Sequence, residues 1–130
     1  MNRVDQYLEQ ALQAVRTSGI ANDKNEVSRQ YKGYISSFGT TILHSGLLPA
    51  VALFSDENRD GRTEEDKSKV VKAIFNIIKT SEIIQDNLLD YLLENGKEQN
   101  LQEILDASIA LKLAVRTFKI KSSSTNFVDI

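Results

Sequence analysis

The chain has 130 residues, 41% hydrophobic and 26% charged, with a formal net charge of −2 at pH 7, and these values predict one ordinary globular domain. The absence of cysteine excludes disulfides and thiolate metal sites, and the slight negative charge argues against strong nucleic-acid binding by the isolated protein without excluding a local basic surface. The longest apolar run, at residues 47–54, is too short to span a bilayer, and residues 1–10 lack the apolar core of a signal peptide, so we expect a cytoplasmic protein with no membrane contact.

The first half of the chain has a helical pattern. Residues 3–17 carry apolar side chains three or four positions apart, and Gly19 supplies a stop. Residues 25–38 repeat this arrangement, and Gly39 is predicted to bend or interrupt the chain. The apolar stretch that follows predicts one or two short helices, with Pro49 in the first turn of the second, where its missing N–H costs little.

The second half predicts three more helices. Thr63 and Asp66 have the spacing of a capping pair before the next apolar helix. Ser81 is predicted to cap a helix that ends near Gly96. Further capping residues, Asn100 and Glu103, open a last helix predicted to run to about Lys119. The pattern therefore predicts an all-α single domain of about six helices in a compact bundle over residues 1–121, followed by a flexible C-terminal tail at 122–130.

Residues 56–67, DENRDGRTEEDK, begin like a calcium-binding EF-hand loop. Asp56, Asn58 and Asp60 occupy the alternate ligand positions, and Gly61 occupies the sharp turn. The twelfth position, which requires a bidentate carboxylate, is Lys67. We therefore interpret this segment as a solvated turn between helices and expect no metal and no other cofactor.

The sequence offers little for catalysis. His44 is the one histidine, and no carboxylate lies between residues 27 and 55 to orient it as a base. We therefore interpret His44 as a buried or partly buried structural residue. The glycines of the chain do not form a phosphate-binding loop after a strand. An enzyme is not expected.

Charge is distributed unevenly along the second half of the chain. Residues 82–106 contain seven acidic residues and one basic residue. The acidic positions Glu82, Asp86, Asp90 and Glu94 recur every four residues, which would place them on one face of the predicted helix. A solvated face is the simpler interpretation, and a docking face for a basic partner is the alternative.

Basic residues concentrate in two segments that lack acids. Arg29 and Lys32 lie between residues 27 and 55, and the segment 107–128 carries Lys112, Arg116, Lys119 and Lys121. The spacing of Lys112, Arg116 and Lys119 predicts one shared facet of the last helix. Such a patch suits a nucleic-acid backbone. Positive side chains spaced at intervals bind its phosphates without contacting the bases.

The stretch YKGYISSFGTTILHSGLLPAVALF, residues 31–54, resembles the small α-helical subunit of type III-B (Cmr-type) CRISPR effector complexes. A helix rich in Tyr and Lys is followed by an apolar turn and then by Gly-Leu and a helix of small residues. The matching residues are Tyr31, Lys32, Tyr34, Ile35, Ile42, Gly46, Leu47, Ala50, Ala52 and Phe54. The chain differs from the family's pattern in having Gly39 where proline is common and in lacking a tryptophan in the last helix.

This resemblance implies a non-catalytic subunit of an RNA-guided interference complex in antiviral defence. Several copies would stack along the complex beside other CRISPR subunits and contact the backbone of the guide RNA–target RNA duplex. The expected RNA-binding residues are Arg29, Lys32, Lys112, Arg116, Lys119 and Lys121. The alternative is a helical protein-interaction adaptor that binds no nucleic acid and uses the acidic 82–98 face.

Overall fold

A computed structural model of the protein describes residues 2–56, 66–96 and 100–121. In chain order its elements are α1 (Arg3–Thr17), β1 (Glu26–Val27), α2 (Arg29–Ser45), α3 (Leu47–Ser55), α4 (Ser68–Ile78), α5 (Leu88–Asn95), α6 (Leu101–Val115) and β2 (Lys119–Ile120). The predicted all-α single domain of about six helices is confirmed. The described residues form six helices and, in addition, one small two-stranded parallel sheet. The calcium-like segment, apart from its ends, the Thr63 cap and the tail at 122–130 lie outside the described residues.

The core forms around α6, which packs against α1, α2 and α4. On α6 the side chains of Ile104 and Leu111 are fully buried, and they belong to one core cluster with buried residues of the other helices such as Val15, Phe38 and Ile74. Each such aliphatic or aromatic side chain contributes about 1.5–3 kcal/mol when fully buried. The stripe of apolar residues on each helix therefore determines which side faces inward.

The small sheet joins the start of α2 to the end of α6. Glu26 lies opposite Lys119 and Val27 opposite Ile120 in parallel register. The Lys121 amide donates a hydrogen bond to the Val27 carbonyl at 2.8 Å. Because β1 directly precedes α2 and β2 follows α6 closely, the sheet holds these two helix ends side by side.

The predicted interruption at Gly39 is wrong. The residue lies inside α2, which continues to Ser45, and the real break is at Gly46. Gly46 has φ +97° and ψ 163°, a conformation that is open essentially to glycine alone. It lets α3 begin at once in a new direction, and Pro49 lies in the first turn of α3 as predicted.

The predicted end of the last helix is also wrong. The helix α6 stops at Val115, and the Thr117 amide and hydroxyl both donate to the Ala114 carbonyl. Phe118 then turns inward, where the Arg16 guanidinium lies 5.2 Å from its ring centroid. Lys119 is therefore a strand residue.

The expected caps of the last two helices are replaced by other contacts. Asn87, and not Ser81, caps α5 by accepting from the Asp90 amide at 2.8 Å. The Asn100 side chain accepts from the Tyr91 hydroxyl and donates to the Gly96 carbonyl instead of capping α6. Since α5 begins at Leu88, the predicted acidic stripe of four residues on one helix is wrong. Of its members only Asp90 and Glu94 lie on α5.

A polar contact links α1 to α6 at the edge of the core. The Tyr7 hydroxyl donates to Glu103 Oε2 at 3.2 Å, and Arg3 lies 3.6 Å from Asp106 Oδ2. Burial raises the pKa of Tyr7 from 10.0 to about 12, and the negative charge of Glu103 and the hydrogen bond to it act in the same direction. The folded protein therefore favours the protonated form of Tyr7.

Replacing Gly39 and Gly46 tests whether the chain breaks at the predicted position, Gly39, or at the observed position, Gly46. We expect Gly46→Ala to lower the free energy of unfolding by about 1–3 kcal/mol, because alanine at this positive φ is strained. The matched control Gly39→Ala should raise it by about 0.5–1 kcal/mol, since a methyl group at Gly39 meets no atom within 4 Å and alanine favours the helix. Urea denaturation measures both, and a destabilised Gly39→Ala would contradict an unbroken α2.

The Tyr7 contact predicts a pH dependence at the alkaline end. Since the folded pKa of about 12 exceeds the ordinary 10.0, the contribution of this contact to stability is complete below pH 10.0 and is lost as the pH rises towards 12. Between about pH 10 and about pH 11.5, the free energy of unfolding should fall more for the unaltered protein than for Tyr7→Phe. Glu103→Gln keeps an acceptor without the charge and should show an intermediate fall. Equal slopes for all three proteins would contradict the assignment.

Candidate nucleic-acid interface

A groove between α2 and α6 brings together basic residues from both halves of the chain. It encloses about 220 Å³ and is lined by Lys32, Ile35, Ser36, Lys112, Val115 and Arg116. Ile35 and Val115 form its buried floor, Lys32 is half-buried, and Lys112 and Arg116 are exposed. We call this feature the basic groove.

The helical periodicity of α2 and α6 explains how these residues meet. On α2, Tyr31 and Ile35 face the core, so Lys32 and Ser36, four positions apart, lie along the border of the buried stripe. On α6, Leu111 and Val115 face the core, and Lys112 and Arg116 follow each of them by one position. Packing of α2 against α6 then places the two borders opposite each other.

The charged side chains that line the basic groove are all positive. No acidic residue lines it, and in the part of the chain that the structure describes none of its three cations forms an ion pair with a carboxylate. Arg29, exposed at the first position of α2, lies one turn before Lys32. The amino-terminal end of α2 also carries the positive end of the helix dipole, which favours anions nearby.

The remaining predicted residues lie elsewhere. Lys119 is exposed on β2, so the predicted facet shared with Lys112 and Arg116 is wrong for this residue, because α6 ends before it. Lys121 lines a separate cavity of about 420 Å³ together with Asn22, Asp23, Lys24 and Glu26. Sequence reasoning missed Ser36, although its spacing of four from Lys32 places it on the same side of α2.

The exposed surface of α6 beside the basic groove is partly apolar. Ile109 and Leu113, four positions apart, are 46% and 40% exposed. Because α6 carries its buried residues on the opposite side, these two side chains and the cations Lys112 and Arg116 share the open face of the helix. The open face of α6 is therefore mixed, with two apolar side chains beside two cations.

The histidine and the acidic side chains are the other residues that could support chemistry. His44 is exposed in the last turn of α2, so its interpretation as a buried or partly buried residue is wrong. Within residues 2–56, 66–96 and 100–121, no three His, Cys, Asp or Glu side chains are grouped as metal ligands would be. None of the helices in these ranges has the length and hydropathy needed to cross a bilayer.

The fold and the basic groove together describe a small helical protein with a surface suited to an anionic partner. A family model of the CRISPR-associated protein (Cas_Cmr5) matches residues 3–117. The chain therefore belongs to this family of CRISPR-associated Cmr subunits of type III-B systems, which confirms the resemblance found in residues 31–54. The family is a structural small subunit of the Cmr complex, and membership implies association with other Cmr subunits. No curated protein and no solved structure matches the chain.

The exposure of the groove cations predicts that they contribute little to folding. We expect Lys112→Gln and Arg116→Gln each to change the free energy of unfolding by less than about 0.5 kcal/mol, as is usual for surface substitutions. Removing one of several neighbouring like charges should also relieve some repulsion. Urea denaturation at low salt tests this expectation. A loss of several kcal/mol in either variant would show that these side chains hold α6 in place.

Proposed function

We propose that this protein is a non-catalytic small subunit of a cytoplasmic RNA-guided interference complex in antiviral defence, and that its basic groove contacts the backbone of the guide–target RNA duplex. The observation that carries the proposal is the convergence of Lys32, Lys112 and Arg116 in one groove that has no acidic residue among its described lining residues. Several copies stack along the complex, so that each presents its groove to a successive stretch of the RNA.

The chemistry of the groove matches a phosphate backbone. Lysine offers a point charge that follows a phosphate without strict geometry, whereas the Arg116 guanidinium can donate two parallel hydrogen bonds to one phosphate. Contacts of this kind hold the RNA in position and read no base. A subunit in a guided complex needs no sequence preference of its own, because base pairing with the guide supplies it.

The low net charge of the chain is compatible with this function. Three phosphate contacts give modest affinity that falls with salt, and repetition of the groove along a filament adds avidity without new contacts. Arg29 extends the positive surface along α2. We propose that Lys119 and Lys121 contribute less to RNA affinity than the groove cations do. Lys121 shares its cavity with Asp23 and Glu26, and Lys119 lies opposite Glu26 in the sheet.

Charge reversal in the groove tests the proposal in the assembled complex. We expect Lys32→Glu and Arg116→Glu to weaken retention of target RNA, since each replaces a phosphate contact by repulsion. The corresponding neutral variants, Lys32→Gln and Arg116→Gln, should each reduce the slope of log affinity against log salt by about 0.7–0.9. Filter binding over a salt series measures both effects.

The control variant changes the net charge by the same amount as a groove variant, but on α1, away from the basic groove. Gln10→Glu/Gln13→Glu lowers the net charge by two on the exposed side of α1, and one lysine reversal lowers it by the same amount. We expect it to retain target RNA like the unaltered protein. Unchanged retention in the groove variants would contradict the assignment of the groove. Silent groove variants combined with failed assembly after acidic-face substitutions would favour the adaptor function instead.

A further inference from the structure

A second cavity lies on a different pair of helices from the basic groove. It encloses about 400 Å³ between α4 and the start of α5, beside the end of α3, within the range of about 300–1,000 Å³ found for ligand sites. Val71, Phe75 and Leu88 provide buried apolar walls. Asp86 and Asp90, both exposed, line its mouth, and we call this feature the acidic cleft.

The cleft also contains a buried hydroxyl without a partner. Ser68 lines the cavity and is only 3% exposed. Its backbone amide donates to Asp66 Oδ1, but its Oγ has no hydrogen-bond partner among the described residues. Buried hydroxyl groups in folded proteins nearly always have a partner. The Ser68 hydroxyl is therefore a hydrogen-bonding group in the lining of the cavity that is available to a polar atom of a bound molecule.

The charges at the mouth select the type of bound group. In the described part of the chain, neither Asp86 nor Asp90 forms an ion pair. Asp90 accepts from the Asn87 side chain at 3.1 Å, which orients its carboxylate at the start of α5. Lys72, across the cleft on α4, leaves the site with one surplus negative charge. An anionic ligand would meet two carboxylates, and a purely apolar ligand would leave the Ser68 hydroxyl unsatisfied.

We propose that the acidic cleft receives an arginine side chain from another protein subunit of the complex. The aliphatic part of arginine suits the walls formed by Val71 and Phe75. Its planar guanidinium can donate parallel hydrogen bonds to Asp86 or Asp90 and a further one to Ser68 Oγ. Arginine is also enriched among the residues that dominate protein–protein interfaces. This proposal does not depend on RNA binding, since α4 and α5 contribute nothing to the basic groove.

A titration of the full chain with a small probe tests the chemistry of the cleft. We expect Nα-acetyl-arginine amide to shift the backbone NMR signals of Ser68, Asn76 and Asp90 in a saturable manner. The neutral isostere, Nα-acetyl-citrulline amide, should bind at least about tenfold more weakly, because it cannot form charge-assisted hydrogen bonds. Equal binding of both probes, or shifts scattered over other acidic residues, would overturn the proposal.

Variants of the cleft test whether binding depends on the charge of its carboxylates or on the shape of the cavity. Asp86→Asn/Asp90→Asn keeps the size of both side chains and leaves a side-chain oxygen next to Asn87, so α5 should stay capped. We expect this variant to weaken binding of the arginine probe by at least about tenfold. Ser68→Ala should weaken it by a few fold. The dispersion of the NMR spectrum shows whether each variant is folded, and unweakened binding by a folded double variant would overturn the proposal.

The source of the arginine is tested in the reconstituted complex. Phenylglyoxal modifies exposed arginines, and mass spectrometry identifies those protected by assembly. We expect one arginine of another subunit to be protected with the unaltered protein and modified with Asp86→Asn/Asp90→Asn, whereas retention of target RNA depends on the basic groove. If no arginine of another subunit differs between the two complexes, or if the protected residue belongs to this chain, the proposal is wrong.

Discussion

Burial of α6 is the constraint on which the rest of the molecule depends. Three helices cover it, and Ile104, Leu111 and Val115 have almost no exposure. The open side of α6 carries Ile109 and Leu113 and, beside the groove, Lys112 and Arg116. These two cations lie there because the buried side of the helix, packed with apolar residues, would not accept an unpaired charge. The position of the basic groove is thus a consequence of core packing, and the apolar residues of α6 determine it as much as the cations do.

The small parallel sheet fixes the position of α6 along α2, which helix packing alone does not fix. Pairing of residues 26–27 with 119–120 fixes the end of α6 against the start of α2. The inward turn of Phe118 under Arg16 directs the chain from the helix into the strand. Without this connection, two helices joined by long intervening chain could slide along each other. With it, Lys32 stays opposite Lys112 and Arg116, as a groove of defined shape requires.

Local patterns in the sequence predicted the helices well but failed at features set by distant residues. The stripes of α1, α2 and α4 were visible because periodicity is a local property. The end of α6 was not, because strand pairing across most of the chain overrides the apolar pattern at 118–120. At Gly39 the cost of glycine in a helix is about 1 kcal/mol, and the buried neighbours Phe38 and Ile42 outweigh it. The sequence identified the groove cations by their charge but did not predict that they lie in one groove. It also marked Asp86 and Asp90 as acidic, but gave no sign that they line a cavity with Ser68.

The two charged surfaces explain why the net charge of the chain says little about its partners. The total of −2 over the whole chain includes two surfaces of opposite local charge: a groove lined by three cations and a cleft whose lining has one surplus negative charge. The three groove cations and the two cleft carboxylates line different cavities and form no ion pairs with one another. Salt weakens the longer-range attraction between such exposed charges. A subunit that contacts both an anionic backbone and a cationic protein side chain needs this separation, since mixing the same residues on one face would neutralise both. Where the charges lie in the fold, and not how many there are, therefore determines what this protein can bind.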